Sequence, residues 1–82
     1  MKQVSFEIFS QANCKWCDAA KALIDRKGDS YTEYNIHRDS ELFRERFPNA
    51  KSVPQITMWV EDGEATYSQD IGGFEALQKH YG

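Results

Sequence analysis

Val4-Ser5-Phe6-Glu7-Ile8 runs through the loop Ser10 to Asn13 into Cys14-Lys15-Trp16-Cys17-Asp18-Ala19-Ala20-Lys21-Ala22-Leu23-Ile24, and this stretch decides the fold. Val4, Phe6 and Ile8 alternate with Ser5 and Glu7. That period of two predicts a half-buried or central strand. From Cys14 the period changes. Ala20, Leu23 and Ile24 recur at helical spacing, with Asp18, Lys21 and Asp25 among the polar positions between them. Gly28 is placed to end that helix. The two cysteines therefore sit where a strand hands over to a helix.

Working outward, Tyr31 to Ile36 is β-rich and alternating, which predicts a second strand. Asp39 or Ser40 can cap a second helix carrying Leu42, Phe43 and Phe47, and Pro48 ends it because the residue before proline disfavours the helical region. Gln55 to Val60 is a third strand, Asp62-Gly63 signals a hairpin, and Ala65 to Ser68 is a short antiparallel partner. Gly72-Gly73 precedes a last helix with Phe74, Leu77 and Tyr81 on one face. The order βαβαββα defines an α/β chain, a four-stranded mixed sheet flanked by helices, whose first βαβ unit is parallel and right-handed. Residues 1–82 make one domain on this reading, without repeat, low-complexity tract or linker. The expected core is Val4, Phe6, Ile8, Ala20, Leu23, Ile24, Ile56, Met58, Val60 and Leu77. Trp16 is expected to be partly exposed, and Trp59 to point away from Met58, toward a helix.

Bulk properties exclude several classes. A chain of 82 residues buries only about 60–65% of the surface of its unfolded form, so one modest core is all it can hold. The net charge is −3, from ten basic and thirteen acidic residues, without the basic stripe of a nucleic-acid binder. No apolar run approaches the roughly 20 residues that span a bilayer. Met1-Lys2-Gln3-Val4 leads into the alternating segment and not into the apolar core of a signal peptide, so a cytoplasmic location is expected. Nothing in the sequence requires more than a monomer.

Cys14 and Cys17 are the only cysteines. A bridge between them closes a tiny loop, poorly placed to stabilise a fold and well placed for chemistry. A helix N-terminus offers unpaired N–H groups and the positive end of the macrodipole, which favour a thiolate. The spacing i, i+3 puts Cys17 on the same face, one turn inward. Cys14 is then the exposed, attacking thiol and Cys17 the resolving one, with Lys15 a nearby cation. Two competing readings are a chance pair of core cysteines and a zinc site. Zinc needs two further ligands, and His37 and His80 lie far apart in sequence and read as solvated surface residues. No metal is expected.

Two more markers follow. Ser52-Val53-Pro54-Gln55-Ile56 puts a proline at a strand entry, where it costs a ladder hydrogen bond and suggests special geometry such as a cis bond. Ile71-Gly72-Gly73 lets a backbone approach a ligand, with a helix N-terminus behind it suited to a carboxylate. The plain alternative there is a turn and a cap.

Cys14-x-x-Cys17 with Ala20-Lys21, then Val53-Pro54-Gln55-Ile56, then Ile71-Gly72-Gly73-Phe74 with Leu77 together resemble the glutaredoxin family over nearly the whole chain, in its short dithiol form found in bacteria and their viruses. The resemblance implies a thioredoxin-like fold and a glutathione-dependent disulfide oxidoreductase that reduces protein and glutathione mixed disulfides. Cys14 matches the family's nucleophile and Cys17 its resolving thiol. Pro54 matches the cis proline, and Val53 offers its backbone to the cysteinyl part of glutathione. Gly73, Phe74 and Glu75 match the place where the γ-glutamyl carboxylate meets the last helix. Lys15, Trp16 and Ser52 complete the glutathione-binding set that the resemblance implies. Glutathione is the implied co-substrate, and disulfide-bearing proteins are the implied partners. Ribonucleotide reductase is one such partner for some family members.

The chain departs from the family in four places. Lys15-Trp16 replaces Pro-Tyr, Gln11 replaces a Lys or Arg, Ser52 replaces Thr, and Ala76 replaces an Asp. Two charged contacts to glutathione are thus absent or moved. A charge-assisted hydrogen bond is worth about 1.5–3 kcal/mol, so each loss weakens affinity roughly ten- to a hundred-fold, and less where the contact is exposed. Arg44, Arg46 or Lys51 are candidates to hold the glycyl carboxylate instead. Two alternatives stay open: a carrier fed by thioredoxin reductase, and an iron–sulfur cluster bridged between two chains.

Overall fold

The computed structural model describes residues 2–82. Its elements are β1 (Lys2–Ser10), α1 (Lys15–Arg26), β2 (Ser30–Asn35), α2 (Ser40–Arg46), β3 (Gln55–Asp62), β4 (Ala65–Gly72) and α3 (Phe74–Tyr81). The sheet order is β2-β1-β3-β4. β1 pairs with β2 in parallel, Phe6 opposite Tyr31, and with β3 antiparallel, Ile8 opposite Ile56. β3 and β4 form the expected hairpin, Val60 opposite Tyr67, with Gly63 at φ 65° in the turn. This is the expected four-stranded mixed sheet with three helices.

One face of the sheet packs Phe6, Ile8 and Ile56 against Ala20, Leu23 and Ile24 of α1 and Leu77 of α3. Burying each such aliphatic side chain contributes about 1.5–3 kcal/mol. Val4 and Met58, expected in the core, are only half-buried and pack along its edge. Phe9 was not expected inside, yet it is fully buried on the other face. There it stacks on Tyr34 at 5.0 Å and meets Phe43 and Phe47 of the α2 region at 5.8 and 5.3 Å. Ile8, Phe9 and Ser10 are therefore buried in succession, because both faces are covered at that end of the central strand.

The helix ends follow local chemistry. Gly28 ends α1 as expected, at φ 81°, in the left-handed region that favours glycine. Gly28 N–H donates to the Asp25 carbonyl and Asp29 N–H to that of Ile24, which satisfies the last turn of α1. α2 starts after Asp39, whose carboxylate accepts not from the helix but from Asn35 N–H, at 3.2 Å. β4 runs to Gly72, four residues beyond the expected Ser68, because the β3 ladder continues past a register shift at Ile56/Thr57. Trp59 faces away from Met58 as expected. Its indole N–H donates to Glu7 at 2.6 Å, on the α2 side of the sheet.

Candidate active site

Cys14 is the N-cap residue of α1, in extended conformation at φ −106° and ψ 102°. Its Sγ accepts the N–H of Cys17 at 3.1 Å, an N-cap bond made by sulfur in place of the usual oxygen. Cys14 and Cys17 are joined as a disulfide, with their Cα atoms 5.3 Å apart. Cys14 is half-buried, whereas Cys17 is 1% exposed. Only the first sulfur is open to an incoming group. After reduction, the Cys17 N–H and the positive end of α1 favour the Cys14 thiolate over the thiol.

The loop after α2 brings a second wall to this sulfur. The Val53–Pro54 peptide is cis, and the Val53 carbonyl oxygen lies 4.0 Å from Cys14 Sγ. Beside it opens a groove of roughly 500 Å³. Trp16 forms one side, Ser52, Val53 and Pro54 the floor, and Gly73, Phe74 and Glu75 the far side at the start of α3. Trp16 is 52% exposed, and its ring leans on Phe74 at 5.6 Å between centroids. Three separate stretches of sequence thus meet around one half-exposed sulfur. Ala76 also lines the groove. Lys15 does not: its ammonium sits over the Trp16 ring, 5.1 Å from the centroid, outside the groove wall. Of the two glycines, Gly72 needs its conformation, at φ 104°. A Cβ on Gly73 would meet the Pro54 carbonyl at an ordinary 3.6 Å.

A smaller recess of about 260 Å³ continues from Ser52 and Val53 and is edged by Gln11 and Lys51. Of the basic residues considered for a carboxylate there, Lys51 lies on this recess. Arg46 is committed elsewhere, to Glu7 at 3.2 Å and Thr57 at 3.0 Å. On the opposite side of the cysteine loop, Ser10 Oγ donates to Glu33 at 2.6 Å, and Lys21 donates to the same oxygen at 2.9 Å. The Ser10 hydroxyl, and then Lys21, hold the Glu33 carboxyl below its ordinary value, while the bond to Glu33 raises Lys21. Sequence reasoning did not single out this triad. The pattern offers no signal for it, because Ser10 and Glu33 meet only through the β1–β2 register. Among the described residues no three His, Cys, Asp or Glu side chains gather as a metal site, and no helix is long and apolar enough to cross a membrane.

A βαβαββα sheet with a Cys-x-x-Cys at the start of α1 facing a cis proline defines a redox protein of the thioredoxin-like class. The family within that class follows from comparison. The glutaredoxin family profile matches residues 6–60. A probable glutaredoxin from Synechocystis sp. is 34% identical over 74 residues, which cover 87% of this chain and 75% of the relative. The chain belongs to the glutaredoxin family. Solved structures agree in fold. Glutaredoxin 1 from Francisella tularensis, complexed with cacodylate, superposes with TM-score 0.68 at 19% identity, over 95% of this chain and 92% of that one. The glutaredoxin-like NrdH-redoxin from Escherichia coli, described as having a thioredoxin-like activity profile, gives TM-score 0.61 at 19% identity over 92% of both chains. A buckwheat glutaredoxin–glutathione complex gives TM-score 0.61 at 24% identity, over 93% of this chain and 67% of that one. Family and bonded cysteine pair together are consistent with a thiol–disulfide oxidoreductase.

Proposed function

We propose that this protein reduces glutathione mixed disulfides and protein disulfides through Cys14, with glutathione as the electron donor. The observation that carries this reading is the groove beside Cys14 Sγ, built from Trp16, Ser52–Pro54 and Gly73–Glu75; a buckwheat glutaredoxin of the same fold is described in complex with glutathione. The Cys14 thiolate attacks the glutathione sulfur of a mixed disulfide. A Cys14–glutathione disulfide forms, and the substrate leaves as a thiolate that takes a proton from water. A second glutathione thiolate then attacks, releasing oxidised glutathione and restoring the Cys14 thiolate. With a protein disulfide, Cys17 displaces the second substrate sulfur instead. The substrate gains two electrons, and the Cys14–Cys17 disulfide is left for two glutathiones to reduce. Protein disulfides, that of ribonucleotide reductase among them, are the candidate substrates, and the reducing cytoplasm is the compartment that supplies the donor.

A second reading rests on the charges. Gln11 and Ala76 are neutral and Arg46 is spent on Glu7, which weakens the hold on glutathione and favours thioredoxin reductase as the donor. Glutathione-dependent turnover of a small mixed disulfide, coupled to glutathione reductase, separates the two. The first reading expects turnover that disappears in Cys14→Ser and persists in Cys17→Ser. A folded protein silent with glutathione, yet reduced by thioredoxin reductase, overturns it in favour of the second.

A further inference from the structure

Asn13 is the one non-glycine residue among those described whose backbone lies in the left-handed region, at φ 59°. It stands immediately before Cys14. The chain on either side of it is anchored. Upstream, Ser10 gives its hydroxyl to Glu33 at 2.6 Å, and its carbonyl accepts Ile36 N–H at 2.9 Å. Downstream, the Cys14 carbonyl accepts Asp18 N–H at 3.1 Å, and Cys14 Sγ accepts Cys17 N–H at the same distance. Gln11, Ala12 and Asn13 must join these two fixed points, and the reversal at Asn13 delivers Cys14 into its N-cap geometry. A Cβ disfavours this backbone conformation; asparagine tolerates it best after glycine, and β-branched residues worst.

We propose that Asn13 is a positioning residue for Cys14: its left-handed backbone aims the Cys14 sulfur at the Cys17 N–H and so sets how readily that thiol ionises. Asn13 acts through Cys14 and touches no substrate. The inference rests on Cys14 being the attacking thiol. Forcing residue 13 to negative φ swings the sulfur off the N–H and removes stabilisation from the thiolate alone.

The test is the rate of Cys14 alkylation by iodoacetamide across pH, on the fully reduced protein, for wild type, Asn13→Gly, Asn13→Val and Asn13→Ala. The alkylated residue is identified by mass spectrometry and the fold is checked by circular dichroism. For each unit by which the thiol's ionisation moves up, thiolate at low pH falls about tenfold while its nucleophilicity rises about threefold. A rise of one unit in Asn13→Val makes it about threefold slower than wild type at low pH. It crosses to about threefold faster once Cys14 is ionised in both proteins. A purely structural loss has no such crossing. Asn13→Gly keeps the wild-type profile, and Asn13→Ala shifts in the same direction as Val by less, which decides the matter if Val does not fold. A Val or Ala profile superposing on wild type overturns the proposal, and so does a Gly profile displaced like that of Val, which would assign the effect to the amide side chain. Alkylation of Cys17 ahead of Cys14 in wild type removes the reading of Cys14 as nucleophile, and the proposal with it.

Discussion

The two faces of the sheet are held in opposite ways. The α1/α3 face is apolar at its centre, with Ile8, Ile24, Ile56 and Leu77 fully buried, and its polar ties lie at the rim: Tyr81 with Asp29, and Lys21 with Glu33. The α2 face has its polar ties at the centre. Glu7 on the central strand accepts from Arg46 and Trp59, and Thr57 accepts from Arg46 at 3.0 Å and donates to Asp70 at 2.8 Å. α2 itself contributes no fully buried residue; the aromatic cluster around Phe9 and the Arg46–Glu7 pair fasten it. Both faces feed the same site. The first carries the N-termini of α1 and α3, hence Cys14 and Gly73–Glu75. The second carries the loop that ends in Ser52–Val53–Pro54. The groove is therefore assembled between a half held by apolar packing and a half held by a charge network, and changes in the two halves should differ in size and kind.

The largest effect is expected at the centre of the apolar face. Leu77→Ala should cost about 2–5 kcal/mol, read from urea unfolding. Next comes the centre of the polar face. Glu7→Ala leaves the Trp59 indole without its acceptor and Arg46 with Thr57 alone, and should cost about 1–3 kcal/mol. The Glu7/Arg46 double-mutant cycle should show a coupling of about 0.5–3 kcal/mol. Because Arg46 ends α2 just before the loop to Pro54, Glu7→Ala should also raise KM for a mixed disulfide more than it lowers kcat. If Glu7→Ala and Arg46→Ala both stay within about 0.5 kcal/mol of wild type, the polar centre is ornament and the aromatics alone hold α2.

The apolar face was readable in the sequence, and the polar face was not. Phe6, Ile8, Leu23, Ile24 and Leu77 announce themselves by period, because each meets a helix that is close in sequence or strongly patterned. Phe9 falls on the off-beat of the β1 alternation and reads as solvent-facing. What buries it is Phe43 and Phe47, whose arrival depends on where α2 lands. Glu7 and Thr57 likewise look like the wet side of two strands, and only the β1–β3 register places them together with Trp59. At the site, Trp16, Ser52–Pro54 and Gly73–Glu75 line one groove, since backbone geometry fixes where these three stretches meet. The Lys15 side chain was beyond reach of the motif. As a long cation beside an exposed indole, it rests on the ring and not in the groove.

At the rim of the apolar face the expected effects are smaller. Tyr81 donates to Asp29 at 2.6 Å and ties the end of α3 to the turn after α1. Tyr81→Phe should cost about 0.5–1.5 kcal/mol. Burial, with the Asp29 bond and charge behind it, holds the Tyr81 phenol well above its ordinary value. Its contribution is therefore complete below the unfolded value of about pH 10 and is lost as pH rises toward the folded one. The phenylalanine variant should lack that alkaline loss, so the two unfolding midpoints should converge above pH 10.

The smallest effect is expected at Glu33, whose side chain is 40% exposed. Glu33→Gln keeps an acceptor for the buried Ser10 hydroxyl and removes only the charge facing Lys21, so it should cost less than about 1 kcal/mol at neutral pH. The sign with pH follows from the lowered Glu33 carboxyl. The charged form is favoured by the fold, so its contribution is present above the unfolded carboxylate value and fades as pH falls through the folded one. On the alkaline side the raised Lys21 acts in the opposite sense: its share is complete below the ordinary lysine value and is lost above it. Urea midpoints of wild type and Glu33→Gln should differ slightly at pH 7, and the difference should shrink as pH falls below the ordinary carboxylate range. A cost at pH 7 equal to that of Glu7→Ala would mean that a charge tie is worth as much at the wet rim as at the sheet centre. The contrast between the two faces would then lie in where their polar groups sit and not in what those groups contribute.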